Sequence, residues 1–375
     1  MHTEPNICYM ILNAVIWNAN PEIFSLGTLS LRWYGLLFAL GFVIGYIIFQ
    51  NFFKREGISY EYLDKLLVYM AVGTIVGARL GHCFFYDPKY YLSNPLEILE
   101  VWKGGLASHG AAIGILLALW LFVRKYKFSY LWLLDRIVIT VALAGAFIRT
   151  GNLMNSEIYG VATKSTKGFI YVHDLTRQLE KLKAVNTIHY RVTGDSLTDG
   201  KALPMEVQVT LGPQLRDSSA AALFAELRLR EYLANNPLVE ETDFYYSPDK
   251  DFRYHIGKNA KGRYVVTAYF LGVPKYPTQI FEALSYFAIF LLLYGFYLKY
   301  GTGLNKGFLF GLFLTLVFTA RFFIEFIKEF QSAFEANLPL NMGQLLSIPF
   351  IVAGIYFIVQ SVYKKEKSVH LPEKE

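Results

Sequence analysis

Four groups of polar and ionisable residues interrupt apolar stretches of this chain, and their types suit chemistry on an anion. The densest is Arg149-Thr-Gly-Asn152-Leu-Met-Asn155-Ser-Glu157-Ile-Tyr-Gly160. A guanidinium, two amides and a carboxylate fall in nine residues, bounded by glycines. Such irregular backbone at membrane depth is tolerated where it is buried in protein or lines a cavity; a capped helix end is the plain alternative. The second group, Gly104-Gly105-Leu106-Ala107-Ser108-His109-Gly110, sets a histidine that can titrate near neutral pH among glycines that admit close backbone approach. His109 could equally be a satisfied core residue. Arg321 and Glu325 are four apart, hence on one helical face, where a structural ion pair competes with a site. Tyr276-Pro277-Thr278-Gln279-Ile-Phe-Glu282 could be no more than a helix start.

The elements that must position these groups are membrane spans. Apolar residues make up 54% of the chain and charged ones 18%, with 29 glycines in addition. A soluble domain is more polar than that, while a mean hydropathy of +0.32 leaves room for a water-exposed part. Disorder, collagen-like repeats and a disulfide scaffold are excluded. Cys8 and Cys83 lie in no metal-ligand spacing, and no metal or cofactor is expected.

Seven stretches reach, or nearly reach, the length needed to cross a bilayer. They fall at Leu31–Gln50, Leu66–Tyr86, Leu106–Val123, Leu131–Ile148, Gln279–Leu298, Phe308–Ile327 and Gln344–Val362. The fourth is weakened by Asp135 and Arg136. Ile7–Trp17 is apolar but short and predicts an interfacial helix. Arg32, Arg79 and His82 near span ends are accounted for by snorkelling.

Basic residues concentrate in alternate short loops (Lys54, Arg55, Lys65, then Arg124, Lys125, Lys127, then Lys299, Lys306) and in the tail at Lys364, Lys365, Lys367 and Lys374. The opposite loops offer Lys89, Lys103 and Lys328. The N-terminus is therefore expected outside and the C-terminus in the cytoplasm. Val161–Tyr276 breaks the pattern. Met205, Val207, Val209 and Leu211 alternate with polar residues as a half-buried strand would; Ser218–Asn236 predicts a helix and Arg263–Leu271 another strand.

The expected fold is an all-α polytopic membrane protein of seven transmembrane helices with an α+β domain inserted between helices four and five, on the outer face. Residues 1–160 carry four spans, 161–276 the inserted domain, 277–363 three spans, and 364–375 a tail. All four clusters, and Tyr34 at the start of span one, then lie toward one leaflet. Arg149 and Arg321 make a natural clamp for phosphate oxygens, which in a bilayer belong most often to a phospholipid headgroup. The expectation is an anionic-lipid site with a histidine poised for proton transfer.

In this order the segments RWYG from Arg32, GARLG at Gly77–Gly81, GGLASHGAAIG at Gly104–Gly114, Asp135, RTGNLMNSEIYG from Arg149, PTQIFEA from Pro277, RFFIEF from Arg321 and NMGQLLSIP at Asn341–Pro349 resemble the bacterial phosphatidylglycerol–prolipoprotein diacylglyceryl transferase family. The match departs at Tyr276, where the family has histidine, and at Val317, where it has tyrosine. The resemblance implies functional roles for Tyr34, His109, Arg149, Asn152, Glu157, Gly160, Arg321 and Glu325. With Gly104, Gly110 and Asn155 these form the candidate site: His109, Arg149 and Arg321 catalytic, the others binding substrate.

It also implies the reaction. The diacylglyceryl group of phosphatidylglycerol passes to the lipobox cysteine thiol in the signal peptide of a preprolipoprotein, at the bacterial cytoplasmic (inner) membrane. A thioether forms and glycerol 1-phosphate leaves. Expected partners are phosphatidylglycerol, that signal peptide and the bilayer, with no nucleic acid. His109 is then the candidate base, with an arginine-stabilised thiolate as the alternative, and Glu157 and Glu325 hold the arginines. A phospholipid transporter or flippase is the leading rival, although the chain lacks the internal repeat many transporters carry. An intramembrane hydrolase lacks its signature sequences, and a purely structural anchor leaves Arg149 and Arg321 without a purpose.

Overall fold

A computed structural model describes residues 14–26, 29–215, 217–234, 244–245, 252–329 and 338–364. Within these, seven helices are long and apolar enough to cross a membrane. They are Trp33–Glu56, Tyr60–Phe85, Ser108–Tyr126, Tyr130–Met154, Thr278–Tyr300, Phe308–Ile324 and Met342–Lys364, called spans one to seven below. The chain is a mostly helical multi-pass membrane protein with a small sheet region. It divides into two compact units: one holds Met1–Leu36, Arg149–Glu282 and Phe323–Asn341, the other Leu37–Ile148, Ala283–Phe322 and Met342–Glu375.

In the second unit, aromatic residues fill the helical core. Phe52, Phe53, Phe122 and Trp132 are fully buried, and the Phe53 and Trp132 rings stack at 6.2 Å. The charged residues that interrupt the fourth span are sealed inside. Arg136, 1% exposed, gives Nε and Nη2 to Glu56 Oε1 at 3.1 and 2.9 Å, while Trp132 Nε1 donates to Glu56 Oε2 at 2.7 Å and Tyr297 Oη to Oε1 at 2.8 Å. Asp135 accepts the backbone N–H groups of Gly307 and Phe310 at 2.7 and 2.9 Å. It thereby caps the start of span six, whose first amides have no partner within their own helix. These two residues bolt helices together instead of weakening one.

Spans two and three pack backbone to backbone through glycines four apart. A Cβ added at Gly77 would stand 2.4 Å from Gly110 O, one at Gly110 2.3 Å from Gly77 O, and one at Gly114 2.1 Å from Gly73 O. Without a hydrophobic drive between helices in lipid, such small-residue seams supply the close van der Waals contact.

The first unit is built around an antiparallel sheet. Val185–Val192, Leu203–Leu211, Tyr264–Gly272 and Phe244–Tyr245 follow in that order, and Tyr254–Lys258 also pairs with Tyr264–Gly272. The alternating Met205, Val207 and Val209 face a core shared with Leu175, Leu179, Ala225, Leu229, Val266 and Ala268. The helical run Ser218–Ala234 includes a widened π turn at Ala225–Leu229. Among the described residues the strand and helix expectations for this region therefore hold to within a few residues; Asn235 and Asn236, the end of the expected helix, lie outside them.

One expectation near the N-terminus does not hold. Val15–Trp17 is a strand, paired in parallel with Phe169–Tyr171, where an interfacial helix was expected; residues 1–13, with Cys8, lie outside the described residues. Trp17 is held by its indole N–H, which donates to Leu153 O at 2.9 Å. Arg32 closes a hairpin of Glu22–Leu26 and Leu29–Arg32 and pairs with Glu22 at 3.2 Å, so the first span starts only at Trp33.

Candidate active site

The Arg149–Gly160 stretch begins as the last turns of span four and ends as a tight, strained turn. Ser156 and Ile158 adopt positive φ, 55° and 60°. A β-branched residue there is a genuine outlier and persists only where its surroundings over-determine it. The surroundings are visible. Gln279 donates from Nε2 to Glu157 O at 2.8 Å, Thr278 Oγ1 donates to Ile158 O at 3.0 Å, and the Gly160 amide donates to Tyr276 O at 2.8 Å. Val161 N donates to Ile327 O at 3.0 Å, and Gly160 bridges to Lys328. A Cβ on Gly160 would fall 2.3 Å from Ile327 O, so glycine is required by three converging segments.

This framework places the side chains. Arg149 Nε forms an ion pair with Glu282 Oε2 at 3.0 Å, and its Nη1 donates to Asn152 Oδ1 at 3.3 Å. Asn152, 4% exposed, passes its Nδ2 to Glu157 Oε1 at 2.8 Å, and Asn155 Nδ2 reaches the same oxygen at 3.1 Å. Tyr34, in the first turn of span one, lies against Gly151; a Cβ there would be 2.8 Å from its ring. Glu325 is buried, with Asn341 Nδ2 donating to its backbone carbonyl at 3.0 Å and Lys328 Nζ 3.8 Å from its carboxylate. Tyr34, Arg149, Asn152, Asn155, Glu157, Gly160 and Glu325 thus belong to one unit.

The partners differ from those expected. Glu282, not Glu157, holds Arg149, whereas Glu157 is gripped by two asparagines. Glu282 is wholly buried and is also 3.4 Å from Lys328 Nζ. Thr278, Gln279 and Glu282 form one of the four polar groups visible in the sequence but carry no site role there, and Lys328 is not among the candidates at all. Glu282 looked like a helix-start acid and Lys328 like a topology signal. The available clue was their charge inside or beside an apolar stretch, where an ionisable group is functional by default.

Gly104, His109, Gly110 and Arg321 belong to the other unit. His109 stands exposed near the start of span three, its ring 5.0 Å from that of Phe85 and 5.9 Å from that of Tyr86. Gly110, the next residue, gives its bare Cα to span two, so the close approach it permits is to another helix. Gly104 and Gly105 both take positive φ, 89° and 68°, and their carbonyls accept from Arg79. Arg79 does not snorkel: it is 4% exposed. Arg321 sits half-buried in the last turn of span six.

Chemically, the first unit offers a half-buried guanidinium beside a buried carboxylate and an amide, with a buried ammonium on the far side of that carboxylate. That arrangement suits a phosphate-bearing ligand. The sequence comparisons agree with a lipid substrate. The family model for prolipoprotein diacylglyceryl transferase matches residues 21–360. A phosphatidylglycerol–prolipoprotein diacylglyceryl transferase of Tolumonas auensis is 37% identical over 94% of this chain and 100% of its own length. Relatives of the same name from Chloroherpeton thalassium and Porphyromonas gingivalis are 34% and 36% identical, each over 93% of this chain and 94% and 95% of their own. Matched along nearly its whole length, the chain belongs to the prolipoprotein diacylglyceryl transferase family.

Proposed function

We propose that this protein performs the reaction for which its relatives are named, moving the diacylglyceryl group of phosphatidylglycerol onto the lipobox cysteine of a preprolipoprotein. The observation that carries this is the Arg149–Asn152–Glu157 chain of contacts, anchored by Glu282, in a member of that family. The substrate's thiolate sulfur attacks the diacylglyceryl carbon that bears the phosphate. A C–S bond forms, the C–O bond breaks, and glycerol 1-phosphate departs with the electron pair; the thiol proton goes to a base and then to solvent.

A thiol of ordinary pKa, about 8.5, is mostly protonated at neutral pH, so a base raises the reactive fraction. His109 is the proposed base. Arg149 and Arg321 are the proposed groups that stabilise charge growing on the leaving phosphate. Tyr34 and Asn152 orient the lipid by hydrogen bonding, and Asn155, Glu157 and Glu325 hold the polar turn in shape. Gly104 and Gly160 shape the backbone, and Gly110 seats the helix that carries His109.

The basic residues of alternate loops support a cytoplasmic C-terminus in the inner membrane of a bacterium, with 161–276 as an inserted domain on the outer face. The test is an assay of purified protein in phosphatidylglycerol vesicles with a lipobox peptide. Glycerol phosphate release should match a diacylglyceryl mass gain on the peptide. Lipid movement between leaflets without either product would instead favour a transporter.

A further inference from the structure

Arg149 already has a buried carboxylate beside it before any lipid arrives, and this poses a problem for phosphate binding. Glu282 is fully buried and paired with Arg149 at 3.0 Å. A phosphate that takes over Arg149 would strip Glu282 of a partner, and an unpaired buried carboxylate is strongly unfavourable. It would also repel the arriving phosphate.

Lys328 removes that difficulty. Its ammonium is 3.4 Å from the other Glu282 oxygen, Oε1, and 3.8 Å from Glu325 Oε2, and the residue is 4% exposed. Its backbone is fixed independently of its charge. The 3-10 turn Glu325–Ile327 ends at Lys328, which turns extended and bridges to Gly160. The side chain is therefore delivered to Glu282 by the same segment that braces the strained turn after Asn155.

We propose that Lys328 is a positioning residue for phospholipid binding: a standing counter-ion of Glu282 that leaves Arg149 available to the lipid phosphate. This rests on Arg149 being a phosphate contact. When the phosphate engages Arg149, Glu282 stays paired through Lys328, and no bare carboxylate is created. Without Lys328, Glu282 holds Arg149 as its main counter-ion and competes with the lipid.

The experiment is a double-mutant cycle on the full-length protein in phosphatidylglycerol vesicles, with thermal unfolding recorded for each variant. Lys328→Gln should raise KM for phosphatidylglycerol about tenfold or more, with a smaller change in kcat. Lys328→Arg should restore most of the affinity. The double variant Lys328→Gln, Glu282→Gln should also bind lipid better than Lys328→Gln alone, because the competing carboxylate is gone. Two folded single variants whose KM effects add in the double, or a folded Lys328→Gln with unchanged KM, would overturn the proposal. Where Lys328→Gln does not fold, the double variant is compared with Glu282→Gln: equal KM for phosphatidylglycerol supports the proposal, because a neutral Glu282 needs no counter-ion, and a clearly higher KM in the double overturns it. If Arg149→Ala keeps wild-type KM and kcat, the phosphate role of Arg149 fails, separately from that of Lys328.

Discussion

The Arg79 guanidinium donates to the Gly104 carbonyl at 2.7 Å, two residues of left-handed backbone before the turn that leads to His109. The same side chain also donates to the carbonyls of Glu97, Ile98 and Gly105, and its guanidinium carbon stands 5.0 Å from the Tyr91 ring centroid. One buried arginine thus gathers the whole connection between spans two and three. A Cβ at Gly105 would collide with the His82 ring at 2.6 Å, so the connection has little room to settle elsewhere.

Arg79→Lys should therefore be far from conservative. A compact ammonium cannot reach four carbonyls spread around a planar fork, and each buried carbonyl left unpaired costs about 1–3 kcal/mol. The expected result is a lower midpoint in thermal unfolding together with reduced transfer activity. Wild-type stability in the lysine variant would show that the fork is dispensable.

Gly110→Ala separates packing from ligand contact. Its Cβ would sit 2.3 Å from Gly77 O and 2.6 Å from Gly81 Cα, both backbone atoms that cannot step aside. Overpacking of this kind costs about 1–3 kcal/mol. The variant should lose stability in step with activity. Lost lipid binding at unchanged stability would make Gly110 part of the lipid site instead.

Arg149→Ala should reduce kcat for transfer by about 10²–10³ in protein that still folds, since the strained turn is braced by the Gln279 and Thr278 side chains, which donate to the Glu157 and Ile158 carbonyls, and by the Gly160 amide. Arg149→Lys should recover little of it, because a point charge cannot hold both Glu282 and Asn152 and grip a phosphate as well. The check is single-turnover transfer at saturating lipid beside thermal unfolding of each variant.

How much of this was legible beforehand follows from sequence distance. Twenty apolar residues in a row announce a span whatever surrounds them, and the span centres were readable for that reason. Alternation over Met205–Leu211 announced a strand in the same local way. Val15–Trp17 is made of strand-favouring residues but is too short to announce a strand by itself; it becomes one where Phe169–Tyr171, far along the chain, pairs with it. Within the site, the cluster Arg149–Gly160 was visible because its residues are neighbours in sequence. Its counter-ion Glu282 and the lysine beside Glu282 come from two later segments, and residue type alone could not match these cations to their carboxylates. Asp135 and Arg136 were misread as weakness in span four for the same reason, since Glu56, Gly307 and Phe310 supply their partners.

The Glu56–Arg136 pair gives the contrasting case, a buried ion pair whose removal should harm the fold and not the chemistry. Both side chains are almost fully enclosed, and Glu56 collects donors from Trp132, Arg136 and Tyr297. Removing one member of such a pair costs about 3–5 kcal/mol, because the other charge stays buried alone. Glu56→Gln should therefore lower the unfolding midpoint more than Arg149→Ala does. Below that midpoint, KM for phosphatidylglycerol and kcat per folded molecule should stay near wild type. The pair Glu56→Gln, Arg136→Met should be less destabilised than Glu56→Gln alone, since no charge is then left stranded. A deeper loss of transfer per folded molecule in Glu56→Gln than in Arg149→Ala would place this cluster in the reaction and remove the distinction drawn between the two buried pairs.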